Sequence, residues 1–191
     1  MMAHPTALDL RNAGIALLAW FALVLPWAFC LRNVEPYMDE VFHIPQTQRY
    51  CQGQFAEWDP KITTFPGLYL CSALLAAAAR PLLPVSSVCS AAPLRLVNVL
   101  FGAGSLLMLQ RLLSRRMGSG KAAAQALVLS LYPVHFFFTF LYYTDVGSLF
   151  WALLTHHLAT PIPGRARPSP RRVAMAAASG LVSIAFRQTN A

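Results

Sequence analysis

Charge is scarce in this chain. Only 12% of its 191 residues are Asp, Glu, Lys or Arg, about half the ~25% typical of a soluble domain. That density cannot cover a globule of this length with polar surface, which excludes a water-soluble domain. Acid is scarcer still, with seven Asp and Glu against 15 Lys and Arg. No two cysteines have CxxC spacing, so zinc-ribbon and thioredoxin-like readings lack support. No P-loop, Rossmann fingerprint, HExxH or GxSxG motif is present, and nucleotide, zinc-protease and serine-hydrolase chemistry lose theirs. No internal repeat is visible.

What is there is apolar. Hydrophobic residues make up 57% of the chain and mean hydropathy is +0.50. The reading is an all-α polytopic membrane protein surrounded by membrane lipid. In a soluble protein the net charge of +8 would suggest nucleic acid. In an apolar chain it records which loops face the cytoplasm, and no nucleic-acid partner is expected.

The charges are segregated. Glu35, Asp39, Glu40, Glu57 and Asp59 share one stretch, whereas Arg111, Arg115, Arg116 and Lys121 share one loop and Arg165, Arg167, Arg171 and Arg172 another. Six segments are candidate spans: 14–31, 62–79, 96–110, 122–143, 146–160 and 173–186. If all six cross from a cytoplasmic N-terminus, both basic loops fall on the far side, against the positive-inside rule. If 62–84 does not cross, both become cytoplasmic and Asp145 joins the acidic stretch.

The expected arrangement therefore begins with a cytoplasmic 1–13 and a retained signal-anchor span at 14–31. A far-side acidic loop, 32–94, follows, with 62–84 as a juxtamembrane or re-entrant element. Four more spans lie over about 95–113, 122–143, 146–160 and 173–187, with basic cytoplasmic loops at 111–121 and 161–172. Small residues around Gly102 and Gly104 suit close helix packing. Cys51, Cys71 and Cys89 fall on the far side, which permits one disulfide of open pairing. Free thiols buried between helices remain the alternative.

Within the acidic loop, Glu35-Pro36-Tyr37-Met38-Asp39-Glu40 reads as a helix start, with Pro and acids in the first turn. Two readings stay open for Asp39 and Glu40: decoration of a wet helix terminus, or ionisable groups held at membrane level because they are used. Successive helical residues point about 100° apart, so one of the pair faces a given site. His43, at i+4 from Asp39 and i+3 from Glu40, shares their side. It reads either as a surface contact or as a ligand to a carboxylate or phosphate. Trp58 fits an interfacial belt or a sugar platform, and Asp59-Pro60 a turn. Arg187 sits where the charge bias disfavours a base, so it is a candidate anion ligand or a snorkelling side chain.

The segments PYMDEVFHIPQTQRYCQGQF, WDPKITTFPGLYL, LRLVNVLF, FLYYTDVGSLF and FRQTN, in order from about 34 to 190, resemble the dolichyl-phosphate-glucose-dependent α-1,2-glucosyltransferases. That family adds the last glucose to the lipid-linked N-glycan precursor in the endoplasmic reticulum. The resemblance implies a type C glycosyltransferase-like helical bundle in that membrane, with a lumenal first loop carrying short juxtamembrane helices. It also implies that 62–84 need not cross.

The implied donor is dolichyl phosphate glucose, with no other cofactor assigned and a divalent cation left open. The acceptor is a dolichyl-diphosphate-linked oligosaccharide. Inversion with a phosphate leaving group requires one general base, because no proton must be supplied to the departing oxygen. By resemblance Asp39 and Glu40 occupy the base's place, Asp39 acting and Glu40 positioning hydroxyls or sharing the role. Asp145 matches the second lumenal acid. Arg187, Lys61 and His43 are the implied stabilisers of leaving-group charge, and Trp58, Asp59 and Gln188 complete the implied substrate-binding set. Members of the family are about twice this length or more, so a truncated form, inactive alone, is expected. The competing reading is a non-catalytic membrane subunit or regulatory fragment whose acidic loop serves packing or partner contact.

Overall fold

The computed structural model describes residues 6–162 and 166–190. Helix is the only regular structure among them. It runs as α1 (Ala7–Leu31), α2 (Glu40–Cys51), α3 (Gly67–Ala79), α4 (Val85–Val88), α5 (Ala91–Leu113), α6 (Ser119–Ser130), α7 (Pro133–Thr139), α8 (Thr144–Ala159) and α9 (Pro170–Phe186), with a closing 3₁₀ turn at Gln188–Asn190. Arg165, in the second basic loop, lies outside the described residues.

α1 starts on a capping box. The Thr6 hydroxyl accepts from the Asp9 N–H at 3.1 Å, and the Asp9 carboxylate accepts from the Thr6 N–H at 3.0 Å, satisfying donors a helix start leaves free. Its 25 residues extend about 37 Å, more than a bilayer's apolar core. α1 and α5 are each long and apolar enough to cross a membrane.

The single segment expected over 122–143 is instead two helices, α6 and α7, bent by 72°. The break falls at Leu131–Tyr132, and Pro133 opens α7, where its missing N–H costs nothing and its ring blocks continuation of α6. The pair counts as a third span if taken together. α8 and α9 have 16 and 17 residues, a little under the ~20 of an upright crossing. α3 is a largely apolar helix of 13 residues, about 20 Å long.

Two cores organise the bundle. One packs Trp20 and Val24 of α1 against Val99, Ala103 and Leu106 of α5, with Ala123 and Phe140. Gly102 makes this approach possible, since a Cβ there would lie 2.9 Å from the Trp20 ring. The second core gathers Ile44, Tyr50, Ile62, Leu68, Tyr69 and Leu94 of the 32–94 segment with Tyr142 and Phe186. Ile62 of this core also lines the site described below.

A disulfide joins Cys51 at the end of α2 to Cys89, just before α5, and Cys30 and Cys71 are free. The crosslink closes a 38-residue separation. Loop-closure entropy then predicts that Cys51→Ser or Cys89→Ser lowers stability by about 2–4 kcal/mol. Unfolding titrations of the oxidised wild type and the serine variants, compared with the wild type under reductant, measure that difference.

Candidate active site

The helix expected from Glu35 starts five residues later, at Glu40. Pro36 belongs to a non-helical approach, and Met38 adopts a left-handed φ of 50°, an uncommon conformation for a residue with a side chain. This turn sends the neighbouring carboxylates in opposite directions.

Glu40 points inward and is completely buried. Arg95 of α5 grips it twice, Nε to Oε1 at 2.9 Å and an NH2 nitrogen to Oε2 at 2.7 Å. The N–H groups of Tyr142 and Tyr37 donate to the same carboxylate at 2.7 and 3.0 Å. Arg95 also donates to the carbonyls of Leu31 (3.0 Å), Val34 (2.9 Å) and Glu35 (3.3 Å). Burial alone would raise the Glu40 carboxyl, but Arg95 and the two N–H donors outweigh it and hold it below the ordinary carboxylate range. Glu40 thus holds the loop to α1, α5 and the 140–143 segment. It does not line the cavity that Asp39 enters, where it was expected to position hydroxyls or share the base's role.

Asp39 points the other way. Its N–H donates to the Tyr143 hydroxyl at 2.6 Å, yet its carboxylate caps no helix. Among the described residues no hydrogen bond or ion pair engages that carboxylate. It lines a cavity of about 510 Å³ together with His43, Lys61, Asp145, Arg187 and Phe138. The volume lies within the 300–1,000 Å³ range of small-molecule sites.

Asp145 stands in the first turn of α8, where the helix dipole favours a carboxylate. It pairs with Arg187 at the end of α9. Lys61 extends over the Phe42 ring at 5.3 Å, a cation–π distance. His43 is buried and its Nδ1 shares a 2.6 Å hydrogen bond with the Tyr69 hydroxyl. Burial lowers its pKa, opposed by Asp39, Asp145 and Glu40, so the ring stays neutral at a pH where an exposed His begins to charge.

The unfolded chain takes up this proton below its ordinary pKa of 6.5, whereas the folded chain does so only at lower pH. Stability therefore rises with pH through that window and levels off above it. The unfolding midpoint measured from about pH 5 to 7.5 should show the slope, and His43→Gln should flatten it.

Five expected residues, Asp39, His43, Lys61, Asp145 and Arg187, thus meet in one cavity, and four do not: the buried Glu40, and Asp59, Gln188 and Trp58. Asp59 accepts the Lys61 N–H at 2.9 Å and shapes the turn. Gln188 donates to the Thr63 carbonyl at 3.0 Å, pinning the cavity wall from behind. Trp58 lines a separate, adjoining pocket.

Arg95, Asn98 and Gln46 support the site without having been singled out from sequence. Asn98 donates to the carbonyls of Leu141 (2.5 Å) and Tyr143 (2.8 Å), fixing the aromatic linker. For Arg95 a signal did exist: it is the single charged residue between Arg80 and Arg111, and an ionisable group within an apolar run marks a partner.

A family model described as DIE2/ALG10 matches residues 33–191, from the approach to Asp39 through the 3₁₀ turn. The chain belongs to the DIE2/ALG10 family. Curated relatives agree with that placement. The chain is 42% identical over 173 residues to a Mus musculus protein, covering 85% of this chain and 35% of the relative. It is 41% identical over 180 residues to one from Arabidopsis thaliana, covering 87% and 34%, and 36% identical over 201 residues to one from Gibberella zeae, covering 94% and 28%. Each of the three is named Dol-P-Glc:Glc(2)Man(9)GlcNAc(2)-PP-Dol alpha-1,2-glucosyltransferase. The chain spans about a third of the length of these relatives. No solved structure matches it.

Proposed function

We propose that this chain carries the catalytic loop of a membrane-embedded glucosyltransferase, with the 510 Å³ cavity facing the lumen of the endoplasmic reticulum. The donor would be dolichyl phosphate glucose and the acceptor the dolichyl-diphosphate-linked oligosaccharide, as the relatives' names indicate for them. The observation that carries this reading is the unpaired Asp39 carboxylate in a cavity that also holds Lys61 and Arg187.

In the reaction Asp39 takes the proton from an acceptor hydroxyl as its oxygen attacks C1 of the glucosyl unit. The bond from C1 to the phosphate oxygen breaks on the opposite face, so a β-linked donor gives an α product. Dolichyl phosphate leaves with the electron pair, and Lys61 and Arg187 meet the charge that develops on it. Asp145 is a positioning residue that aims Arg187. Neutral His43 supplies a hydrogen-bonding ring nitrogen without adding charge.

The test is transfer of glucose from dolichyl phosphate glucose in microsomes of a host lacking its own transferase, with the protein expressed from its full reading frame. Asp39→Asn should lower the rate by at least about 10²-fold at unchanged membrane abundance. Equal rates would favour the competing role of the acidic loop in packing or partner contact.

A further inference from the structure

Beside the charged cavity lies a second pocket of about 380 Å³, and Ile62, Thr63 and Thr64 form the wall between them. Its other lining residues are Tyr50, Trp58, Phe65 and Pro66, so no charged side chain faces it. A neutral ligand is therefore the one this pocket suits. Trp58 is 37% exposed and Phe65 47%, which presents aromatic surface to whatever enters. Tyr69 braces the Trp58 ring edge-on at 5.7 Å, and Tyr50 stands 6.5 Å from it.

The platform is built rather than incidental. Gln46 is 1% exposed and its side-chain amide brackets Trp58, donating to the Glu57 carbonyl at 2.7 Å and accepting from the Asp59 N–H at 2.9 Å. The backbone on both sides of the indole is thereby fixed by one buried side chain. The shared wall also offers a polar group, for Thr63 is exposed and lines both pockets, whereas the Thr64 hydroxyl is buried beside that of Tyr69.

We infer that the Tyr50–Trp58–Phe65 pocket is a carbohydrate subsite that seats a neutral hexopyranose of the acceptor glycan next to the charged cavity. A pyranose has one apolar face of C–H groups, matched to the exposed indole, and a rim of hydroxyls, matched to Thr63. The arrangement separates the two substrates by chemistry: the phosphate-bearing donor in the cavity with Lys61 and Arg187, the uncharged sugar chain on the aromatic side. Identifying that sugar as the acceptor rests on the transferase reading above. The sugar site itself does not.

The experiment uses the 191-residue chain in lipid nanodiscs, free of glycoside detergents that would compete, with maltose as the probe. Saturation-transfer NMR should carry signal to the sugar C–H protons, with a Kd of about 1–10 mM for so small a neutral ligand. Trp58→Phe should bind within about threefold of wild type, and Trp58→Ala at least about tenfold more weakly. Helicity and the Cys51–Cys89 disulfide report that each variant is folded. Thr63→Val keeps the wall's volume, removes only the hydroxyl, and should weaken binding about threefold.

No saturation transfer to maltose in the wild type overturns the inference, as does wild-type affinity in a folded Trp58→Ala. Should Trp58→Ala fail to fold, wild-type affinity in Thr63→Val overturns it. Trp58-dependent maltose binding alongside full glucose transfer by Asp39→Asn would keep the sugar site and retire the role given to Asp39.

Discussion

Arg95→Ala is expected to destabilise the fold by about 3–5 kcal/mol, the range for removing one partner of a buried ion pair. The cost comes less from the attraction lost than from what remains. Glu40, with no exposure, would keep only the Tyr37 and Tyr142 N–H groups as partners. The carbonyls of Leu31, Val34 and Glu35 would lose their donor as well. The end of α1, the turn before α2 and the aromatic linker would then loosen together, because one guanidinium serves them all.

Arg95→Met with Glu40→Leu separates the contributions. The double replacement removes the stranded charge and should recover part of the loss, though not the carbonyl bonds. Because pairing holds Glu40 below its ordinary pKa of 4.5, the pair's contribution is full above that pH. It is lost as pH falls through the lower folded value. Equilibrium unfolding in bicelles at neutral pH and at about pH 4 reads both effects. A loss under about 1 kcal/mol for Arg95→Ala would mean the buried carboxylate finds another partner.

The apolar segments α1 and α5 were legible because length and hydropathy act locally. The break at Pro133 was not, since a proline inside a span is tolerated when neighbours satisfy its backbone. In α6 and α7 the chain turns by 72° instead. Asp39, Asp145, Arg187, Lys61 and His43 were recoverable from charge and from the resemblance, and they do share one cavity. Glu40 lies outside that cavity because one residue of turn, with Met38 left-handed, decides which of two adjacent carboxylates is buried. No local pattern encodes that choice. Its cause lies 55 residues away in Arg95, on another helix. Gln46 escaped notice for a similar reason: its role is to hold backbone at Glu57 and Asp59, and an amide inside an amphipathic helix carries no sequence mark of that.

Asp39→Asn should have the opposite profile to Arg95→Ala: a large loss of rate with little loss of stability. The side chains are nearly isosteric, and the Asp39 carboxylate makes none of the hydrogen bonds that hold the turn. The contact to Tyr143 comes from the backbone N–H, which asparagine retains. Stability should therefore stay within about 0.5 kcal/mol of wild type. The rate should fall by about 10²–10⁴, the usual contribution of a positioned base, or roughly 3–5 kcal/mol of transition-state stabilisation. Glu40→Gln supplies the contrast, since it weakens a buried charge-assisted pair and should reduce abundance before it reduces turnover per molecule. Measuring transfer and membrane abundance for both variants side by side resolves the adjacent carboxylates into one that reacts and one that holds the loop. Similar losses of abundance in both variants would mean that Asp39 too is structural, and the base would have to be sought at Asp145.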